Sequence, residues 1–119
     1  MALYAAAFEP RLAVVVCSEP GISLGFSNYE AFWYLGPRRP TDRDQQELLA
    51  QIAPRPFLLI AGESSDGQKS WPFLHAAQPA YADPMHLGMF NHGQGHSPST
   101  ASVTHAMDWL ERFLGSAEK

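Results

Sequence analysis

At 119 residues the chain holds one domain or part of one, and a chain of that size buries roughly two-thirds of its unfolded surface. Apolar residues make up 45% and charged residues 17%, which fits a packed globular chain and excludes a disordered one. The net charge is −4, and the basic residues are scattered apart from Arg38 and Arg39, which excludes the electrostatic footprint of a nucleic-acid binder.

The single Cys17 rules out an internal disulfide and a multi-cysteine metal site, leaves the redox compartment open, and fits a buried thiol beside a strand. No apolar run approaches the roughly 20 residues that span a bilayer, and the N-terminus lacks the basic-then-apolar order of a signal peptide. A soluble chain with no membrane partner is expected, with the cytoplasm as its default location.

In chain order, "MALYAAAFEPR" is Ala-rich, spaces Leu3, Tyr4 and Phe8 for a short helix, and stops at Pro10. Leu12 to Cys17 is continuously apolar and rich in β-branched residues, the pattern of a strand buried on both faces in a parallel sheet. Residues 21 to 41 mix Gly, Pro and aromatics without a period and read as a long loop, either a cap over a site or a segment packed on the core. "TDRDQQELLAQIA" follows as a helix with Thr41 or Asp42 as N-cap and Leu48, Leu49 and Ile52 as its apolar stripe.

"FLLIAG", Phe57 to Gly62, is a second fully buried strand, and "SWPFLHAAQPAYA" a third helix with Pro72 in its first turn and Pro79 bending or ending it. "MHLGMF", residues 85 to 90, predicts a weaker third strand. Val103, Ala106, Met107, Leu110, Phe113 and Leu114 recur at helical spacing, with Gly115 as the stop. Strands alternating with helices imply right-handed crossovers and an α/β fold with a three-stranded parallel sheet flanked by helices.

Functional residues in such sheets gather at the carboxyl ends of the strands. That rule selects Glu19 in "CSEPG", Glu63 or Asp66 in "GESSDG", and His92 or His96 in "NHGQGHS". An acid followed by a histidine on neighbouring strand ends makes two members of the Ser, Asp or Glu, His order of α/β-hydrolases. The third member is a serine on a G-x-S-x-G elbow upstream, and no such motif is expected within the chain itself. Ser18 follows a strand beside a candidate acid and reads as a loop hydroxyl.

A metal reading of His92 and His96 is disfavoured, because a spacing of four places two ligands on one face only in a helix, and Gly93 and Gly95 oppose one. No metal and no cofactor are expected. His75, His86 and His105 read as solvated. Trp33, Tyr34 and Trp71 are candidates for a substrate-facing aromatic wall, with core packing as the competing reading.

Three stretches carry a family resemblance. "MALYAAAFEPRLAVVVCSEPG" is similar to the segment after the nucleophile elbow of α/β-hydrolase esterases, in the branch of glucuronoyl esterases, acetyl xylan esterases and dienelactone hydrolases. "ELLAQIAPRPFLLIAGESSDGQKSW" resembles that branch's seventh strand with its preceding helix, and "GQGHS" its histidine loop. The resemblance implies that residues 1–119 are the C-terminal part of such a domain, a partial α/β-hydrolase fold of strands six to eight, with the nucleophile just before Met1 or Met1 itself a wrongly chosen start. It implies His96 as general base and His92 as a pocket residue. It also implies an acid at Asp66, the commoner placement, or at Glu19, where some glucuronoyl esterases carry a glutamate. The expected substrate in the intact enzyme is a small-molecule carboxylic ester, of a carbohydrate or an aryl carboxylic acid, and the isolated chain is expected to be inactive. The alternative function is a non-catalytic interaction module. In that case the open edge of the first strand pairs with an upstream complementing segment or with a second copy in a homo-oligomer.

Overall fold

The computed structural model describes residues 2–26, 36–38 and 44–115. Helix α1 (Ala2–Phe8) leads to strand β1 (Val15–Ser18), and helix α2 (Gln46–Ile52) to strand β2 (Phe57–Ala61). Helix α3 (Trp71–Ala77) precedes strand β3 (Leu87–Asn91), and helix α4 (Thr100–Leu110) closes the order. The strands form one three-stranded sheet in the order β1-β2-β3, parallel throughout, with Val15 opposite Phe57 and Phe57 opposite Leu87. The chain therefore has the expected α/β class, and β2 is central because every one of its residues is buried.

The two faces of the sheet are covered differently. Val15, Cys17, Phe57 and Leu59 pack with Leu3, Ala6, Leu49, Ile52, Leu74 and Ala77 of α1, α2 and α3 in the main core. Burying about ten such side chains at roughly 25 cal/mol per Å² of apolar surface supplies most of the drive to fold. Arg55 locks this layer from below: its guanidinium donates to the carbonyls of Ala6 at 2.7 Å, and of Glu9 and Leu12 at 3.0 Å, capping the C-terminus of α1 with positive charge. Cys17 is buried in β1, where desolvation pushes its thiol up to about 12.

Helix α4 lies on the opposite face. Its Ser99 side chain accepts from the Ser102 N–H, an N-cap bond, and its last turn runs on as a π-helical turn from Glu111 to Gly115. Of the six apolar residues that the sequence spaces along this helix, Ala106, Leu110 and Phe113 are half-buried, whereas Val103, Met107 and Leu114 are 51%, 60% and 44% exposed. Ser102 is the buried residue of α4, Ala106 and Trp109 are half-buried, and the Trp109 ring lies over Gly88, where an added Cβ would come within 3.4 Å of it. Ser102, Ala106 and Trp109 form the sheet-facing stripe, which shares Ala106 with the expected apolar set and replaces Val103 and Leu110 by their neighbours Ser102 and Trp109.

Other boundaries shift by small amounts. The third strand begins at Leu87, after a 3-10 turn over Pro84–His86 in which the Asp83 side chain accepts from Met85 N–H. Pro79 ends α3 in a 3-10 turn. Helix α2 begins at Gln46 with Gln45 at its N-cap, not Thr41 or Asp42 as the sequence predicts; those two residues and the aromatic cap residues Trp33 and Tyr34 lie outside the described residues. Among the described residues, no helix is long and apolar enough to cross a membrane.

Candidate active site at the carboxyl ends of the strands

Glu19 follows the last residue of β1 with φ 51°, a left-handed backbone that is uncommon for a residue with a side chain. Its N–H still donates to Ile60 carbonyl at 2.8 Å, so the ladder continues while the turn swings the side chain across the end of β2. There the carboxylate is fully buried and accepts backbone N–H groups from Gly62 at 2.8 Å, Ser65 at 2.8 Å and Asp66 at 3.0 Å. Burial pushes this carboxyl up, but the three N–H donors and the nearby His96 outweigh it and hold it below its ordinary value.

Oxygen Oε1 of that carboxylate lies 3.7 Å from Nδ1 of His96, whose side chain is 69% exposed. The histidine loop is aimed by glycine. Gly93 and Gly95 have φ of 67° and 96°, and Gly95 N–H donates to Gly62 carbonyl at 2.7 Å. At Gly62 itself a Cβ would overlap the carbonyl oxygen of Gly95 and come within 2.7 Å of His92 Cε1, so the two loops touch through bare backbone. His92 Nδ1 accepts from Gln94 N–H at 3.0 Å, which leaves the proton on Nε2; that atom is buried, with no hydrogen-bond partner among the described residues.

Asp66, also fully buried, has a different set of partners. Its oxygens accept from Gly21 N–H at 2.6 Å, Ile22 N–H at 2.8 Å and the Ser70 hydroxyl at 2.8 Å. Desolvation raises its pKa, against the pull of those three donors and with the help of the Glu19 charge. Glu63 is exposed; it accepts from Gln68 N–H at 2.8 Å and Asn91 Nδ2 at 2.7 Å, and those donors hold its carboxyl low. The structure thus brings Glu19, Asp66 and His96 into one cluster, with Glu19 as the carboxylate beside the imidazole and Asp66 turned to the backbone of the first loop. Trp71 opens α3 with 39% of its surface exposed and its ring centroid 5.6 Å from that of His75, while Trp33 lies outside the described residues.

Two features escape the sequence reading. Ser70 closes the Asp66 shell, and only the "D-x-x-x-S" spacing on either side of Gly67 hints at it. The string "GISLG" at residues 21–25 spells G-x-S-x-G, contrary to the expectation that no elbow motif occurs in the chain. Ser23 is not built as an elbow, however. An elbow serine sits exposed at a strained turn from strand to helix. Ser23 is 5% exposed, lies among bends and turns from Ile22 to Phe26, and is not among the residues of positive φ. Its hydroxyl donates to Asp44 at 2.7 Å and accepts from Gly25 N–H at 3.1 Å, the bonds of a loop anchor.

No family model matches the chain, and no curated protein matches it. Among solved structures it is similar to a carbohydrate esterase family 15 glucuronoyl esterase from Caldicellulosiruptor kristjansonii, with a TM-score of 0.79 and 23% identity. The match covers 97% of this chain and 40% of that one, so the chain spans two-fifths of the length of the structure it resembles. Its architecture is that of a partial α/β-hydrolase fold, a three-stranded parallel sheet flanked by helices.

Proposed function

We propose that this chain is the C-terminal portion of a serine carboxylic-ester hydrolase, contributing the acid and the histidine of its triad while the nucleophile comes from outside residues 1–119. The observation that carries the reading is the 3.7 Å approach of a fully buried, backbone-clamped Glu19 carboxylate to Nδ1 of His96 at the carboxyl ends of parallel strands. The glucuronoyl esterase likeness, over 40% of that protein's length, supports the same reading.

In this arrangement Glu19 accepts the Nδ1 proton of His96 and fixes the tautomer in which Nε2 is free to take a proton from a serine hydroxyl. The approach is longer than a hydrogen bond, as such contacts often are before substrate binds. The serine attacks the ester carbonyl, the alcohol leaves with the proton held on His96, and the same imidazole then activates water to release the acid. Asp66 has the role of a strut: it holds the turn that carries Glu19. His92 and Trp71 remain candidates for the pocket wall, and the substrate class is an ester of a carbohydrate or a small aryl carboxylic acid.

The test compares the 119-residue chain with a longer protein that also contains the residues encoded before it, using a fluorophosphonate probe and p-nitrophenyl acetate. The proposal expects labelling and hydrolysis in the longer protein alone. Labelling at Ser18 or Ser23 of the short chain would overturn it.

A further inference from the structure

The histidine loop is moored to three consecutive residues, from the last of β2 onward. Ala61 carbonyl accepts from His92 N–H at 2.9 Å, and Gly62 carbonyl from Gly95 N–H at 2.7 Å. Side chains make the third mooring: Asn91, the last residue of β3, donates from Nδ2 to Glu63 Oε1 at 2.7 Å. Asn91 carries the contact on into the loop, because its Oδ1 accepts from the N–H of Gly93 at 3.0 Å. The path from Glu63 through Asn91 to Gly93 ends three residues before His96.

Glu63 reaches Asn91 at a conformational cost. Its φ is 67°, a left-handed backbone that glycine or asparagine adopts more readily. Glu19 is the other residue with a side chain and a positive φ among the described residues, and the two turns do the same work. Glu19 sends its carboxylate from the end of β1 onto the loop after β2, and Glu63 sends its own from the end of β2 onto the end of β3. Burial does not impose the turn at Glu63, because that residue is exposed. The turn lays the carboxylate over the bare Cα of Gly67, where a Cβ would overlap it, and there it also takes the Gln68 N–H at 2.8 Å. A strained conformation at an exposed residue persists because its surroundings over-determine it, and here those surroundings are the two loops that it joins.

We propose that Glu63 and Asn91 are positioning residues, which set the histidine loop so that Nδ1 of His96 faces Glu19, with neither touching the reacting atoms. The inference rests on the reading of Glu19 and His96 as acid and base, and gives a task to two residues that this reading leaves idle. Backbone bonds from Ala61 and Gly62 fix the loop at His92 and at Gly95. Between those points lies Gly93, with φ 67° and the wide backbone freedom of glycine, and Asn91 Oδ1 is the acceptor that holds its N–H. Loss of the Glu63 grip frees Asn91, and the rotation that follows at Gly93 carries His96 away from Glu19.

The experiment reads the His96 ring in the 119-residue chain by side-chain nitrogen NMR, with the imidazole neutral, as the ratio of its Nδ1–H to its Nε2–H tautomer. A carboxylate that accepts at Nδ1 selects the first of these. The variants are Asn91→Ala and Glu63→Gly, with Glu19→Gln as control. Glu63→Gly adopts the left-handed turn freely and removes only the side chain, so its fold is retained, as far-UV circular dichroism verifies; should Asn91→Ala unfold, Glu63→Gly decides alone. The expected result is a fall of about tenfold in the ratio for both variants, toward that of Glu19→Gln, the scale of one lost hydrogen bond to a charged group. An unchanged ratio in either folded variant, with Glu19→Gln still lowering it, would overturn the inference and leave the acid and base reading in place. A wild-type ratio equal to that of Glu19→Gln would overturn both.

Discussion

Glu19 and Asp66 each hold the loop that carries the other. Asp66 N–H donates to the Glu19 carboxylate at 3.0 Å, while the Asp66 carboxylate takes the N–H groups of Gly21 and Ile22, just beyond Glu19. The clasp joins the ends of β1 and β2 through backbone N–H donors. Asp66→Asn places an amide donor against backbone donors in a dry site, and it is expected to cost about 2–4 kcal/mol of stability. Urea unfolding of the variant, read as a shift in midpoint at constant slope, checks this.

The same pair predicts how stability depends on acid. The folded pKa of Glu19 lies below its ordinary 4.5, so its contribution is present above that value and is lost as pH falls through the folded one. Asp66, raised above 3.8, acts in the opposite sense: folding favours its protonated form, so its ionisation opposes the folded state as pH rises through the raised value. Glu19→Gln should flatten the loss of stability between about pH 5 and pH 3, and Asp66→Asn should steepen it. Unfolding midpoints measured across that range distinguish the two signs.

Gly62 is where the loops after β2 and β3 touch. Gly62→Ala drives a methyl group into the Gly95 carbonyl and the His92 ring, so the histidine loop must move. A loss of at least about 2 kcal/mol is expected, the cost of overpacking against backbone. Hydrogen exchange at Gly95 N–H, which donates to Gly62 carbonyl, should rise in step.

Arg55 ties α1 to the sheet through carbonyls of Ala6, Glu9 and Leu12. Arg55→Ala leaves those helix-end acceptors to water or unpaired, with an expected loss of about 1.5–3 kcal/mol. Arg55→Lys should recover only part of it, because a single ammonium cannot match the fork of the guanidinium. Thermal unfolding followed by circular dichroism reports both.

The central strand was legible because Phe57 to Gly62 is an unalternating apolar run, and β2 is buried throughout; the like run from Leu12 to Cys17 was legible as a strand but not in its burial, since β1 begins at Val15 and alternates buried with half-buried or exposed residues as an edge strand does. Helix α4 was legible as a helix but not in its orientation. Hydrophobicity picks out Val103, Met107 and Leu114 along with Ala106, whereas close packing over Gly88 selects Ser102 and Trp109 beside Ala106 for the sheet. The strand-end rule gathered Glu19, Asp66 and His96 from the sequence. Which carboxylate faces the imidazole was not legible, because it depends on the left-handed turn at Glu19 and on backbone N–H directions that the residue types do not encode. The "GISLG" string makes the same point: its letters fit an elbow, and its buried, Asp44-bonded serine does not.

In the proposed function Glu19 orients His96, and Asp66 supports Glu19 from behind. The most direct measurement is kcat/KM for ester hydrolysis by the longer protein containing this chain, with Glu19→Gln and Asp66→Asn compared at equal folded fraction. A fall of roughly 10³–10⁴-fold is expected for Glu19→Gln, the scale seen when a triad acid is neutralised, and a much smaller fall for Asp66→Asn. Near-normal activity in Glu19→Gln together with loss in Asp66→Asn would contradict it.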